Sequence, residues 1–170
     1  MLKNITSSRL FWLSILTFSW GLVGFAVFYQ KYFEVEPCYL CILQRIALLI
    51  IGFFALLPII KPSNPHIRQF GYFGWFMGSI GGLVASIKLV ALQYSPKLIN
   101  SCGVSSDYLL ENYGLLKSIP ILFEGSGDCS SSAGSFLSIT FEQWSMGLFI
   151  LSLSTLLAII TVRLIQRLRD

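Results

Sequence analysis

Charge is scarce in this chain. Of 170 residues, 12% are Asp, Glu, Lys or Arg, and His66 is the one histidine. A soluble globular domain has about 25% charged residues, so this chain has too few to cover such a surface. The basic residues flank long apolar runs and never form a dense patch interleaved with aromatics. The formal net charge of +4 is therefore not a nucleic-acid-binding signal, and no nucleic-acid partner is expected. His66 sits in a Pro-rich turn far along the chain from every cysteine, which leaves no histidine to act as a base beside a thiol. A four-cysteine zinc centre needs two close pairs, and the four cysteines supply one CxxC and two separate positions, so no metal site is expected.

Apolar sequence fills the space that charge leaves. It makes up 55% of the chain and falls into four runs, about 10–30, 42–60, 69–94 and 143–162. Each comes close to or exceeds the roughly 20 residues that cross the hydrocarbon core as a helix. The first run is longer than the apolar core of a signal peptide, and no small-residue cleavage site follows it. The segment Lys61-Pro62-Ser63-Asn64-Pro65 reads as a turn, because proline cannot donate to a helix ladder and restricts its predecessor. The expected fold is an all-α membrane protein, a single domain over 1–170 with a four-transmembrane-helix bundle and two outer loops, 31–41 and 95–142.

Basic residues also set an expected orientation. Lys3, Arg9, Lys61, Arg68, Arg163, Arg167 and Arg169 fall at the two termini and the 61–68 turn, whereas the opposite loops hold Lys31, Lys97 and Lys117. The positive-inside rule places both termini in the cytoplasm and both cysteine-bearing loops outside, in an oxidising compartment. In the second loop, a short helix over about 107–116 is expected to lie on the bilayer with Asp107 and Glu111 toward water. The tract from Gly125 to Ser132 is flexible by composition. Gly74, Gly78 and Gly82 form a small-residue stripe that reads as a helix-packing seam. Trp20, Trp75 and Trp144 serve equally as interface anchors or core.

The chemistry concentrates in Pro37-Cys38-Tyr39-Leu40-Cys41-Ile42-Leu43-Gln44-Arg45. A CxxC closes a small, reducible disulfide ring and yields a reactive thiolate when reduced. By itself it is as compatible with a structural staple or half a zinc site. Cys41 is expected at or near the N-terminus of the second helix, where the macrodipole favours negative sulphur, with Cys38 nearer water. Arg45, four residues on, shares a face with Cys41 and either stabilises a thiolate or snorkels to the interface. Cys102 and Cys129 share the second loop and are expected to pair, and most such loop disulfides are static.

Taken together, Pro37-Cys38-x-x-Cys41-x-x-x-Arg45, Gln93, Cys102, Ser126-Gly127-Asp128-Cys129, Phe136-Leu137 and Gln143-Trp144 resemble the bacterial disulfide bond formation protein B family over nearly the whole chain. The resemblance implies a thiol–quinone oxidoreductase of the bacterial inner membrane. It implies a DsbA-type periplasmic thiol oxidase as partner and a membrane quinone, ubiquinone or menaquinone, as cofactor. It also implies a relay in which Cys102 forms the mixed disulfide with the partner and Cys129 exchanges with Cys38. Cys41 is then left beside the quinone, with Arg45, Gln93 and Lys88 as cofactor-binding candidates. Two positions depart from the family pattern. Lys88-Leu89 stands where some relatives carry histidine, and Glu142 stands where proline is expected before Gln143-Trp144. Rival readings are a membrane protein whose two disulfides only staple its loops, and a paralogue serving a dedicated partner. A vitamin K epoxide reductase-like protein ranks lower, because its CxxC would come late in the bundle.

Overall fold

A computed structural model of the chain describes residues 8–34, 37–62, 64–94, 135–136 and 138–169. The described residues form four long helices: α1 (Arg9–Phe33), α2 (Tyr39–Ile60), α3 (Pro65–Tyr94) and α4 (Phe141–Arg169). All four contain a span long and apolar enough to cross a membrane, so the four-helix membrane bundle expected from the sequence is the observed fold. The interfacial helix expected near 107–116 lies outside the described residues.

Local chemistry explains where the helices begin. Ser8 caps α1, its hydroxyl accepting from the Leu10 N–H at 3.3 Å. The α1 chain leaves through Glu34 in the left-handed region, φ 51°. The third helix starts four residues earlier than expected because Pro65 takes its first position, where a missing N–H costs nothing. Asn64 Oδ1 accepts from the His66 N–H at 3.0 Å there. Thr140-Phe141-Glu142-Gln143 begins α4 with half of a capping box: Gln143 Oε1 accepts from the Thr140 N–H at 3.3 Å. A two-residue hairpin precedes it, strand β1 (Ser135–Phe136) antiparallel to β2 (Ile139–Thr140) with Ser135 opposite Thr140. The sequence reading did not anticipate this hairpin.

The helices pack in chain order, α1 on α2, α2 on α3 and α3 on α4. The glycine stripe is the seam foreseen for α3. A Cβ at Gly78 would lie 2.5 Å from Ile51 Cγ1 and 2.8 Å from the Ala47 carbonyl oxygen. Gly74 faces Phe54, and Gly82 faces Phe149 across the α4 interface. The backbones can approach this closely only because those side chains are absent. Trp75 belongs to the core, its Nε1 donating to Ser152 Oγ at 2.8 Å. Ser79 shares the same hydroxyl at 2.9 Å. Trp20 and Trp144 are exposed, as interface anchors would be, and Trp12 is fully buried against Tyr72.

Gly78→Ala is expected to destabilise the bundle by about 1–3 kcal/mol, because the Ala47 carbonyl is backbone and cannot turn aside. Gly81→Ala, where an added Cβ meets nothing within 4 Å, should be near neutral. Denaturant titration of both variants in the same detergent checks the contrast.

Candidate redox site

Cys38 caps the second helix, which puts Cys41 in its first turn. The Cys38 backbone is extended (φ −79°, ψ 163°), and its Sγ accepts from the Cys41 N–H at 3.4 Å. The first helical hydrogen bond runs from the Ile42 N–H to the Cys38 carbonyl at 3.2 Å. Sulphur thus takes the place of a serine oxygen at the N-cap. This corrects the expected start of the helix near residue 42: the sulphur cap adds the Tyr39–Cys41 turn. Cys38 is buried, 5% exposed, and Cys41 is only partly buried. Both are free thiols, with Sγ atoms 3.0 Å apart. The Cys41 side chain, as a hydrogen-bond partner, pulls the Cys38 thiol down from 9.0 to about 7, against the opposing effect of burial.

Around the pair lies an apolar collar. Cys38, Leu40, Leu89 and Leu92 form one buried cluster, with Tyr39, Cys41 and Leu43 packed against it. Arg45 lies one turn further into α2. It is 7% exposed, so it does not snorkel. Its Nη1 donates to Gln30 Oε1 of α1 at 2.7 Å, a charge-assisted bond. Among the described residues, two amide groups nearby have no hydrogen-bond partner: Gln44 Nε2 on α2 and Gln93 Nε2 near the end of α3. Buried amide N–H groups without a partner are costly, so each marks a place where an acceptor from beyond the described residues would be stabilised.

The first turn of α4 closes this end of the bundle. Phe141 meets the Tyr29 ring of α1 edge-on at 5.1 Å, and Gln143 Nε2 donates to the Tyr94 hydroxyl of α3 at 3.0 Å. Between them Glu142 is 4% exposed. It interacts electrostatically with both Cys38 and Cys41.

The disulfide bond formation protein DsbB family matches residues 8–159 of this sequence. The chain belongs to that family. A disulfide bond formation protein B from Vibrio cholerae is 34% identical over 163 residues, 96% of this chain and 94% of its own length. One from Azoarcus sp. is 32% identical over 139 residues, 81% of this chain and 83% of its own. One from Methylobacillus flagellatus is 33% identical over 134 residues, 78% and 80% respectively. As a member of the DsbB family with four helices able to span a bilayer, the chain is a multi-pass membrane protein of disulfide-bond formation.

Within this frame the expected site residues divide. Cys38, Cys41 and Arg45 come together at one end of the bundle, and Gln93 joins them from α3, one residue beyond Leu92 of the collar. Lys88 is exposed, apart from the buried collar formed by its neighbour Leu89. Cys102 and Cys129 lie outside the described residues. Gln30 and Gln44 were missed. The available signal was position, since each is an amide in or at the edge of an apolar run and therefore needs a partner. Gln30 lies 15 residues before Arg45, too far in sequence for helical periodicity to pair them.

Proposed function

We propose that this protein is a thiol–quinone oxidoreductase that reoxidises a DsbA-type thiol oxidase and passes the electrons through two cysteine pairs to a membrane quinone. The observation that carries this reading is the Cys38–Cys41 pair. Its two thiols lie in contact at a helix N-terminus, one turn from a buried arginine, at the edge of a candidate membrane span. A static staple requires neither the arginine nor the polar groups around it. A DsbA–DsbB–quinone relay keeps the bacterial periplasm oxidising, which gives such a site its place in the cell. The termini are assigned to the cytoplasm and the cysteine loops to the periplasm on the basic-residue asymmetry.

The residues present fit a quinone. Its two carbonyl oxygens need donors within an apolar slot, and the amides of Gln44 and Gln93, without a partner among the described residues, are buried donors beside the Leu40, Leu89 and Leu92 collar. Arg45 adds a fixed cation on the Cys41 face of α2. Lys88 is left outside this set. Bound there, a quinone would supply a two-electron, two-proton acceptor. The chain's own residues do the rest. Cys102 meets the partner's thiol, and Cys129, released, exchanges with Cys38. Cys41 is then left as the free sulphur, closest along the helix to Arg45. The buried collar keeps water from competing for it.

The test mixes the purified protein, a reduced DsbA-type oxidase and a soluble quinone, and follows quinone absorbance and free thiols together. One quinone should be reduced for every two thiols lost. Disulfides that never exchange, with quinone unchanged, would establish the stapled membrane protein instead. Turnover with one dedicated oxidase and no other would identify the paralogue.

A further inference from the structure

At the end of the bundle opposite the cysteines, all four helices meet around Tyr72. Trp12 of α1, fully buried, packs on the Tyr72 ring at 5.0 Å. Pro58 of α2 and Trp12 both press on Gly71, where a Cβ would lie 2.7 Å from Pro58 Cγ and 2.9 Å from Trp12 Cη2. Arg163 of α4 sets its guanidinium carbon 5.2 Å from the ring centre of Tyr72, a cation–π contact. Arg68, four residues before Tyr72, shares its face of α3. Both arginines are half-buried, and their Nε atoms, like the Tyr72 hydroxyl, are shielded from solvent. Two guanidiniums and a phenol O–H thus gather over one rigid aromatic floor. The Tyr72 hydroxyl has no hydrogen-bond partner among the described residues.

The charge of this end calls for an anion from outside the chain. The two termini and the 61–68 turn are rich in lysine and arginine and carry one acid, Asp170. Among the described residues, the acids Glu34 and Glu142 stand at the opposite end, at the close of α1 and in the first turn of α4. We propose that Arg68, Tyr72 and Arg163 form a seat for the phosphate of an anionic phospholipid in the leaflet at this end of the bundle. A phosphodiester brings two free oxygens and one negative charge. The Tyr72 hydroxyl donates to one oxygen, and the guanidiniums of Arg68 and Arg163 hold the pair as charge-assisted donors. Position selects a lipid over a dissolved anion. Arg163 lies near the end of the apolar span Phe141–Gln166, where a cation is costly unless it is neutralised. A dissolved phosphate would have to give up water to reach it, whereas a lipid phosphate already lies at the bilayer edge. Basic pockets between transmembrane helices are a recurring form of lipid-headgroup site. Phe70 and Phe73 beside Tyr72 are exposed and offer the glycerol and first methylenes an apolar surface.

Two simpler roles leave the hydroxyl without a purpose. If Tyr72 only pins the helices, phenylalanine serves as well, since its ring keeps the contacts with Trp12 and Arg163. If the basic residues only form a belt that attracts lipid by net charge, a neutral substitution leaves the attraction unchanged. Both roles make Tyr72→Phe silent, so this variant separates the seat from either.

The test titrates the full-length protein in a neutral detergent with phosphatidylglycerol and, separately, with phosphatidylcholine, and counts bound lipid by native mass spectrometry. Phosphatidylglycerol should fill one site more tightly than phosphatidylcholine does. Tyr72→Phe should weaken that site about tenfold, the loss expected for one hydrogen bond to a charged group. Arg163→Lys keeps the charge without the planar fork and should weaken it less than Arg163→Gln. Arg9 and Lys61 are exposed, and their glutamine variants should lose no more than the roughly fivefold that one surface charge supplies. Inorganic phosphate at the lipid's concentration should not displace it. Tyr72→Phe and Arg163→Lys carry the test even where Arg163→Gln fails to fold. Unchanged affinity in Tyr72→Phe, or equal binding of the two lipids, would overturn the proposal. Displacement by inorganic phosphate would overturn the lipid as occupant.

Discussion

Cys38→Ser, Cys41→Ser and the double variant are expected to lose quinone-dependent turnover equally, each by a thousandfold or more on the order of what is seen when one member of a catalytic unit is removed. The reason is geometric. The two sulphurs lie 3.0 Å apart, and a serine oxygen in either place cannot close the disulfide that carries two electrons as one unit. The loss should therefore be non-additive. The single variants should differ in a second measurement, the pH dependence of alkylation of the remaining thiol. Cys38 is held down to about 7 chiefly by the Cys41 thiol. In the reduced wild-type protein its alkylation should rise through a midpoint near that value. In Cys41→Ala the midpoint should move back toward the ordinary 9.0. The sign for stability follows. A thiol lowered in the folded state contributes stability that is complete above the unfolded value and is lost as pH falls through about 7. Reduced protein should therefore gain stability from pH 6 to pH 9, roughly the window between the two values, and the gain should disappear in Cys38→Ala. Equal turnover in either serine variant and wild type would remove Cys38–Cys41 from the electron path.

The bundle was legible in the sequence because membrane spans are written in composition. Long apolar runs with charge confined to their ends leave one arrangement for the backbone, in which every N–H is satisfied within its own helix. The glycine stripe on α3 was legible for a related reason: a four-residue spacing puts small residues on one face whatever the partner is. The ends of the helices were less so. The apolar run places the start of the second helix near residue 42, whereas the Cys38 sulphur caps it three residues earlier. Partners across helices were not legible at all. Gln30 and Arg45, Trp75 and Ser152, or Gln143 and Tyr94 are joined by the packing angle of two helices, which no local pattern encodes.

Arg45→Met is expected to lower quinone-dependent turnover by about 10- to 100-fold, each factor of ten corresponding to about 1.4 kcal/mol, while single-turnover oxidation of the partner at the outer cysteine pair stays close to wild type. Methionine keeps the apolar stem in the α1–α2 seam, so the cost is electrostatic before it is steric. Arg45 is 7% exposed and donates to Gln30 at 2.7 Å. Deleting its charge removes the fixed cation from the face of α2 that carries Cys41, in surroundings where water cannot substitute for it. Arg45→Lys should be intermediate, because it retains the charge but loses the planar fork. Gln30 supplies the control that separates position from charge. Gln30→Leu leaves the guanidinium in place without its carbonyl acceptor, a loss of about 1.5–3 kcal/mol for a bond to a charged group. A double-mutant cycle on Arg45 and Gln30 should recover a coupling of that size in unfolding measurements, and a smaller one in turnover, if Gln30 acts by orienting Arg45. Wild-type turnover and quinone affinity in Arg45→Met would make the arginine a packing element tied to α1, and the quinone would then have to be sought away from the Cys41 face of α2.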